Sequence, residues 1–130
     1  MIARTVTWEM DGPPGADAAI LVDTAKLDRL WQRAADAYIG SGGSEHAIGD
    51  RYTRVGLWIL AGRPLKMLQI AISEEGELSF IDGRHRFAWL RDHGAKSVQV
   101  QLHPDHVEYV TSMLSTGLKK TKYFKLIGDD

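Results

Sequence analysis

The chain has 130 residues, no cysteine and a formal net charge of −1 at neutral pH. This length suits one domain, and the lack of cysteine excludes disulfides, thiol nucleophiles and cysteine-ligated zinc. The near-neutral charge excludes the overall positive field that drives non-specific DNA binding, so an anion site has to be local.

The sequence carries no pattern for export or for a membrane. No stretch reaches the roughly 20 apolar residues that span a bilayer. Arg4, Glu9 and Asp11 interrupt the N-terminus before a signal-peptide pattern can form. We therefore expect a cytoplasmic protein without membrane insertion.

The first elements are two short strands and a helix. Residues 2–8 and 18–22 have the pattern of strands, and prolines and glycines at 11–15 form a turn between them. A helix follows, in which Asp23 or Thr24 can cap the start and Gly40 can form the end. Its apolar face consists of Leu27, Leu30, Trp31, Ala34, Ala35 and Tyr38.

A glycine-rich loop at 40–49 leads into a segment that fits two structures. The apolar residues of 51–61 recur at helical spacing, while its run at 55–60 also fits a buried strand. We favour a helix that ends at Gly62.

The second half predicts a hairpin, two helices and one more strand. Residues 66–72 and 77–81 are the paired strands, because a Glu-Glu-Gly turn separates them. A short helix at 84–93 and an alternating strand at 97–102 follow. Pro104 suits the first turn of a last helix.

The segment Asp82-Gly83-Arg84-His85-Arg86 carries the chemistry, because it joins a strand to a helix. Gly83 permits a sharp turn, and the helix that follows offers free N–H groups to an anion. Arg84 and Arg86 match phosphate geometry. His85 can donate to phosphate or act as an acid or base, and Asp82 can hold an arginine or a metal–nucleotide complex.

The charge of this segment argues against a purely structural role. Cations in the first turn of a helix oppose the helix dipole at a cost of about 0.3–1 kcal/mol each. Arg84 and Arg86 both lie there, on either side of His85. A local violation of this kind usually marks a functional site, so we assign His85 and Asp82 to catalysis and the rest to phosphate binding.

Other polar residues are secondary candidates. Arg51, Arg54 and Lys66 flank the motif and could contact phosphates, although ordinary surface roles fit equally well. Glu45 could swing over a phosphate from its loop, and Asp92 shares a helix face with His85. A solvated loop and a surface ion pair are the simpler interpretations of these two.

Several residues are set aside at this stage. His103 and His106 are spaced poorly for one metal ion, so no dedicated metal site is predicted. Trp58, Phe87 and Trp89 are assigned to the core. The basic C-terminal tail with its aromatic residues could track a nucleic-acid strand, but a solvated terminus explains it more simply.

Residues 66–102 resemble the core of the ParB/sulfiredoxin superfamily, in which a hairpin leads into a Gly-x-His-Arg phosphate-binding helix. Within them, FIDGRHRFAWLRDHGAKSVQV at 80–100 is more similar still to the plasmid fertility inhibition factors of the Osa type. The resemblance covers most of 20–102. It implies an α/β (α+β) fold with a small mixed sheet flanked by helices, in a single domain at 1–130. The core is placed at 18–116 and the basic tail at 117–130.

The resemblance also implies a class of function. It points to a protein that binds ATP or another nucleotide, with Mg²⁺ as an accompanying ion, and that blocks conjugative DNA transfer. ATPase or DNase activity, DNA binding and a conjugation partner protein belong to the same expectation. The alternatives are a non-enzymatic inhibitor module switched by nucleotide, and a small-molecule kinase. Sulfiredoxin chemistry is excluded because it needs a cysteine, and chromosome partition needs domains for which this chain lacks room.

Overall fold

The computed structural model describes residues 3–13, 15–34, 37–43, 50–115 and 123–125. Its strands are β1 (Ala3–Thr5), β2 (Trp8–Glu9), β3 (Ala18–Asp23), β4 (Leu65–Lys66), β5 (Leu68–Ile72), β6 (Leu78–Asp82), β7 (Ser97–Leu102) and β8 (Tyr123–Lys125). Its α-helices are α1 (Thr24–Arg33), α2 (Arg51–Leu60), α3 (Arg84–Asp92) and α4 (Val107–Leu114). This is the mixed α/β architecture that the sequence predicts.

A four-stranded sheet in the order β3–β7–β5–β6 organises the molecule. β3 and β6 are antiparallel to their neighbours, whereas β5 and β7 run parallel, so the sheet is mixed. The predicted hairpin is confirmed by the pairing of β5 with β6. Helix α3 follows β6 directly and leads the chain back, so that β7 lies parallel to β5. The turn at residue 83 therefore lies at the end of a strand of the sheet.

Strand β7 is covered on both faces. Its residues from Val98 to Leu102 are all buried, and successive side chains point to opposite sides of a sheet. Gln101 is buried with its amide satisfied, since its Oε1 accepts from the backbone N–H of Asp11 at 2.8 Å and its Nε2 donates to the carbonyl of Asp11 at 2.9 Å. The polar side chain therefore ties the segment after β2 to the sheet.

Helix α1 is shorter than its sequence pattern indicates. Asp23 caps it by accepting from the N–H of Lys26 at 2.9 Å, but the helix ends at Arg33 because Ala34 is extended. The prediction of a helix as far as Gly40 is therefore wrong. Tyr38 nevertheless contacts Trp31 edge-to-face at 4.7 Å, because the chain returns to the same apolar surface without being helical.

Both ends of the chain contribute small sheets. The predicted strand at 2–8 is divided into β1 and β2, which have different partners. β1 pairs antiparallel with β8, which lies in the segment that the sequence sets apart as a basic tail. β2 pairs in parallel with β4, with Glu9 opposite Lys66. This second pairing brings the N-terminal segment to the side of α3.

Helix α2 confirms the preferred interpretation of 51–61 and packs closely on α3. Gly56 is buried, and a Cβ at this position would overlap the indole Nε1 of Trp89. Trp89 is itself stacked on His93, with ring centroids 3.8 Å apart, so the indole has little room to move away. Glycine at 56 sets the distance between the two helices.

We expect Gly56→Ala to destabilise the protein by about 1–2 kcal/mol. Overpacking costs about 1–3 kcal/mol, with the upper half of that range expected for a Cβ that overlaps Trp89, and the better helix propensity of alanine returns about 1 kcal/mol. Urea unfolding with an unchanged slope measures the effect. Thr53→Ala on the exposed side of α2 is the control and should stay within about 0.5 kcal/mol of wild type. A variant as stable as wild type would show that the helices are not in close contact.

Candidate functional site

A cavity of about 610 Å³ lies beside the turn between β6 and α3. Helix α2 forms one wall and the segment around β4 forms another. The lining residues are Glu9, Arg51, Arg54, Val55, Trp58, Pro64, Leu65, Lys66, Asp82, Gly83, His85 and Arg86. Four cationic side chains thus face two carboxylates, and the cavity carries an excess of positive charge.

The turn into α3 depends on glycine. Gly83 has a φ of +104°, which side-chain-bearing residues rarely adopt, and it is the residue before the first turn of α3. A Cβ there would lie 2.9 Å from Cδ2 of Leu68 and 3.0 Å from Nη2 of Arg86. No side chain caps the helix, so its N-terminal positive end is left facing the cavity.

Two helices begin at this cavity with cations in their first turns. Arg51 and Arg54 lie in the first turn of α2, Arg84 and Arg86 lie in that of α3, and neither turn contains an acidic residue. Each helix dipole opposes these charges. An anion between the two helix ends would compensate both the dipoles and the guanidinium groups.

Arg86 lines the cavity and is held by two contacts. Its Nη2 lies 3.4 Å from Oδ2 of Asp82 and donates to the carbonyl of Met67 at 3.4 Å. Its Nε is buried and makes no hydrogen bond to any of the residues that the structure describes. A buried guanidinium N–H without an acceptor is costly, and a phosphate oxygen is an acceptor of the appropriate charge.

His85 is buried, with 9% of its surface exposed. This burial is the main cause that lowers the pKa of His85 from its ordinary value of 6.5. Repulsion lowers the pKa further and comes from three guanidinium groups, those of Arg84, Arg51 and Arg86. The imidazole is therefore neutral at pH 7 and able to accept a proton.

Two of the predicted residues lie elsewhere, and a third cannot be placed. Arg84 does not line the cavity, since its Nη1 donates to the carbonyl of Ala37 at 3.1 Å. Asp92 accepts from the hydroxyl of Tyr52 at 2.8 Å and from the N–H of Gly42 at 2.9 Å, away from His85. Glu45 lies outside the described residues.

The flanking cations, by contrast, are brought together with the motif. Arg54 forms an exposed ion pair with Asp50 at 3.0 Å, and Lys66 lies 3.7 Å from a carboxylate oxygen of Asp11. Both pairs are largely exposed, and such pairs contribute little to stability. These cations can consequently exchange their partners for a bound anion at small cost.

Sequence reasoning missed the apolar part of the cavity and one of its acids. Trp58, assigned to the core, is 44% exposed and lines the cavity. Trp58 follows Val55 by three residues and Arg51 by seven, so all three lie on one side of α2. This spacing is the sequence signal that could have placed Trp58 at the site. Glu9 carried no local signal, because only the pairing of β2 with β4 brings it here.

A second cavity of about 630 Å³ lies at the other end of α3 and shares no lining residue with the first. Arg91 occupies it with Asp28, Asp92 and two tyrosines. Burial raises the pKa of the Tyr52 hydroxyl, and the hydrogen bond to Asp92 raises the pKa further. With 11% of its side chain exposed, Arg91 links α3 to α1 through ion pairs, which indicates a structural role.

The described residues provide neither a cluster for a metal ion nor a membrane-spanning helix. Within them, His, Asp and Glu side chains nowhere gather in threes that could hold a metal ion. None of the helices in this part of the chain has the length and apolar character needed to cross a membrane.

Comparison with known proteins gives one likeness in fold. No family model and no curated protein matches the chain. Among solved structures, the gold(I) cyanide derivative of Oncogenic Suppression Activity Protein, a plasmid fertility inhibition factor, superimposes with a TM-score of 0.57. The match covers 85% of this chain but only 61% of that protein, at 14% sequence identity. The chain therefore shares the fold of a plasmid fertility inhibition factor.

Proposed function

We propose that the cavity beside Gly83 binds the phosphate groups of a nucleotide, with ATP as the first candidate. The observation that carries this proposal is the meeting of two helix N-termini, each with arginines and no acidic residue in its first turn. Arg86 lines the same cavity, and its buried Nε has no hydrogen-bond acceptor among the residues that the structure describes. A phosphate would satisfy all of these groups at once.

The residues present fit such a ligand. The volume of about 610 Å³ lies within the usual range for small-molecule sites. Arg51, Arg86 and Lys66 would neutralise phosphate charge. Magnesium bound with a nucleotide typically takes one or two carboxylates and the phosphates themselves, and Asp82 and Glu9 are the carboxylates at hand.

Arg86→Ala should weaken ATP binding by about 1.5–3 kcal/mol, the usual contribution of a hydrogen bond to a charged group. Calorimetric titration of the folded variant measures the change. Arg29→Ala, which removes an exposed cation from α1, is the matched control and should bind as wild type does. Equal affinity of the Arg86 variant and wild type would remove this residue from the site.

Inhibition of conjugative DNA transfer is the biological role we propose for this site. The fold shared with Oncogenic Suppression Activity Protein supports it, because that protein is described as a plasmid fertility inhibition factor. In this proposal the chain acts on DNA or on a conjugation protein in the cytoplasm. Mating frequency of a donor strain that expresses the chain tests the role, and an unchanged frequency would contradict it.

A non-enzymatic module that inhibits a partner protein is the second candidate. The observation in its favour is the exposure of large apolar side chains, since Leu57 and Leu60 on α2 are 63% and 46% exposed and Ile81 on β6 is 67% exposed. Exposed apolar groups of this size often mark interaction sites. The small-molecule kinase gains no comparable support. A kinase needs a second pocket that holds its substrate beside the phosphate site, whereas the second cavity shares no lining residue with the first.

A further inference from the structure

We propose that Trp58 stacks on the base of the bound nucleotide, which makes the ligand a nucleoside polyphosphate instead of a simple anion. This inference rests on the phosphate site proposed above and assigns its apolar half. Cations and the turn before α3 line one part of the cavity. Val55, Trp58 and Pro64 form an apolar part, which does not bind a phosphate.

The indole of Trp58 is fixed in place before any ligand arrives. Its Nε1 donates to the carbonyl of Pro64 at 2.7 Å, and the guanidinium of Arg63 lies 4.8 Å from its ring centroid. The side chain still exposes 44% of its surface. An aromatic ring that is held rigidly yet exposed loses little entropy on binding, and every nucleobase offers a π face to such a ring.

Helix α2 sets the distance between the two parts of the site. Arg51, its first residue, is close enough to His85 for its charge to lower the pKa of the imidazole. Trp58 lies seven residues further along the same helix, which is about 10 Å at the usual rise of an α-helix. A single phosphate cannot reach both ends of this span. A chain of phosphates, a sugar and a base can.

The charge of the whole protein favours a free nucleotide over a nucleic-acid strand. The cavity carries four cationic side chains against two carboxylates, while the chain as a whole carries −1. A protein that binds a nucleic-acid strand makes many phosphate contacts along an extended basic surface. One cavity of about 610 Å³ with one exposed tryptophan provides for a single base and its own phosphates.

Titration of ATP and of inorganic tripolyphosphate into the full chain tests the inference, since only ATP has a base. Trp58→Ala should weaken ATP binding about 5- to 150-fold, the range of one base–aromatic stack, and leave tripolyphosphate binding unchanged. Trp58→Phe should retain most of the ATP affinity because it keeps a π face. Leu57→Ala, an exposed neighbour outside the cavity lining, is the control and should bind both probes as wild type does.

The remaining outcomes separate this inference from the proposed function. Unchanged ATP affinity in Trp58→Ala, with weaker binding in Arg86→Ala, would overturn the stacking and leave the phosphate site in place. An equal loss of both probes in Trp58→Ala would also overturn it, because the effect would then be structural. A wild type that binds neither probe would remove both proposals. If a single-stranded oligonucleotide displaces bound ATP at a lower concentration than free ATP does, the site would be assigned to a nucleic-acid strand.

Discussion

We expect Arg91→Ala to lose about 3–5 kcal/mol of stability, because removing one partner of a buried ion pair leaves the other charge uncompensated. Arg91 Nη1 lies 3.0 Å from Oδ1 of Asp28 and donates to the carbonyl of Ile39 at 2.7 Å. Its Nε donates to Oδ1 of Asp92 at 2.9 Å. The two carboxylates are 19% and 11% exposed, so water would replace the lost guanidinium poorly.

The loss is a large part of the 5–15 kcal/mol that stabilises a typical domain. Urea unfolding at neutral pH measures it. Arg33→Ala, which removes an exposed arginine from the end of α1, is the control and should change stability by about 0.5 kcal/mol at most. Arg91→Lys should fall between the two, since a single ammonium group cannot bridge both carboxylates. A loss below about 1 kcal/mol in Arg91→Ala would mean that the ion pairs are solvated.

Local sequence signals account for the parts of the fold that were predicted. The turn at Glu74–Gly76 and its flanking strands lie close together in sequence, and the helix after Gly83 begins at Arg84 as expected. The end of α1 was mispredicted because apolar spacing reports which residues face the core and does not report whether the backbone is helical. Tyr38 satisfies the spacing from a segment that is not helical.

The error at Trp58 has a related cause. A tryptophan in an amphipathic helix is usually buried, but large apolar residues also occur on surfaces, so composition alone does not settle its position. On α2 the buried positions are Gly56 and Ile59, which face Trp89 and the core. Trp58 is turned toward the cavity instead, a placement that only the packing of α2 on α3 determines.

The candidate site divides in the same way between local and distant contributions. Asp82, Gly83, His85 and Arg86 come from one short segment, and the structure places all of them at the cavity. Asp92 shares the helix face of His85, but two helical turns separate them by about 10 Å, so they face different cavities.

His85→Ala should lower the turnover of ATP or DNA by about 10²–10⁴, the usual contribution of a general base. The binding of ATP should weaken by only about 1 kcal/mol, the contribution of one neutral hydrogen bond. The reason is the neutral imidazole of His85, which lies beside the arginines and the N-terminus of α3 where a phosphate would be held. It can take a proton from an attacking water, with Asp82 beside Arg86 at 3.4 Å orienting the site.

The pH dependence distinguishes this role from a structural one. Because the pKa of His85 lies below its ordinary value of 6.5, the proton-accepting form dominates at neutral pH. Turnover should therefore hold as the pH falls to about 6.5 and decline only below it, and His85→Gln should be as slow as His85→Ala at every pH. Binding of ATP, which depends on the arginines, should continue through this range.

The measurement is turnover of ATP and of single- and double-stranded DNA with magnesium or manganese, for wild type and both variants. His85 is buried, so the folded state of each variant is checked by urea unfolding before its rate is compared. Variants that are folded, bind ATP and retain the wild-type rate would remove His85 from catalysis. A wild type that binds ATP but turns over none of the substrates would instead assign the protein to the nucleotide-switched inhibitor class, in which His85 positions a phosphate and performs no proton transfer.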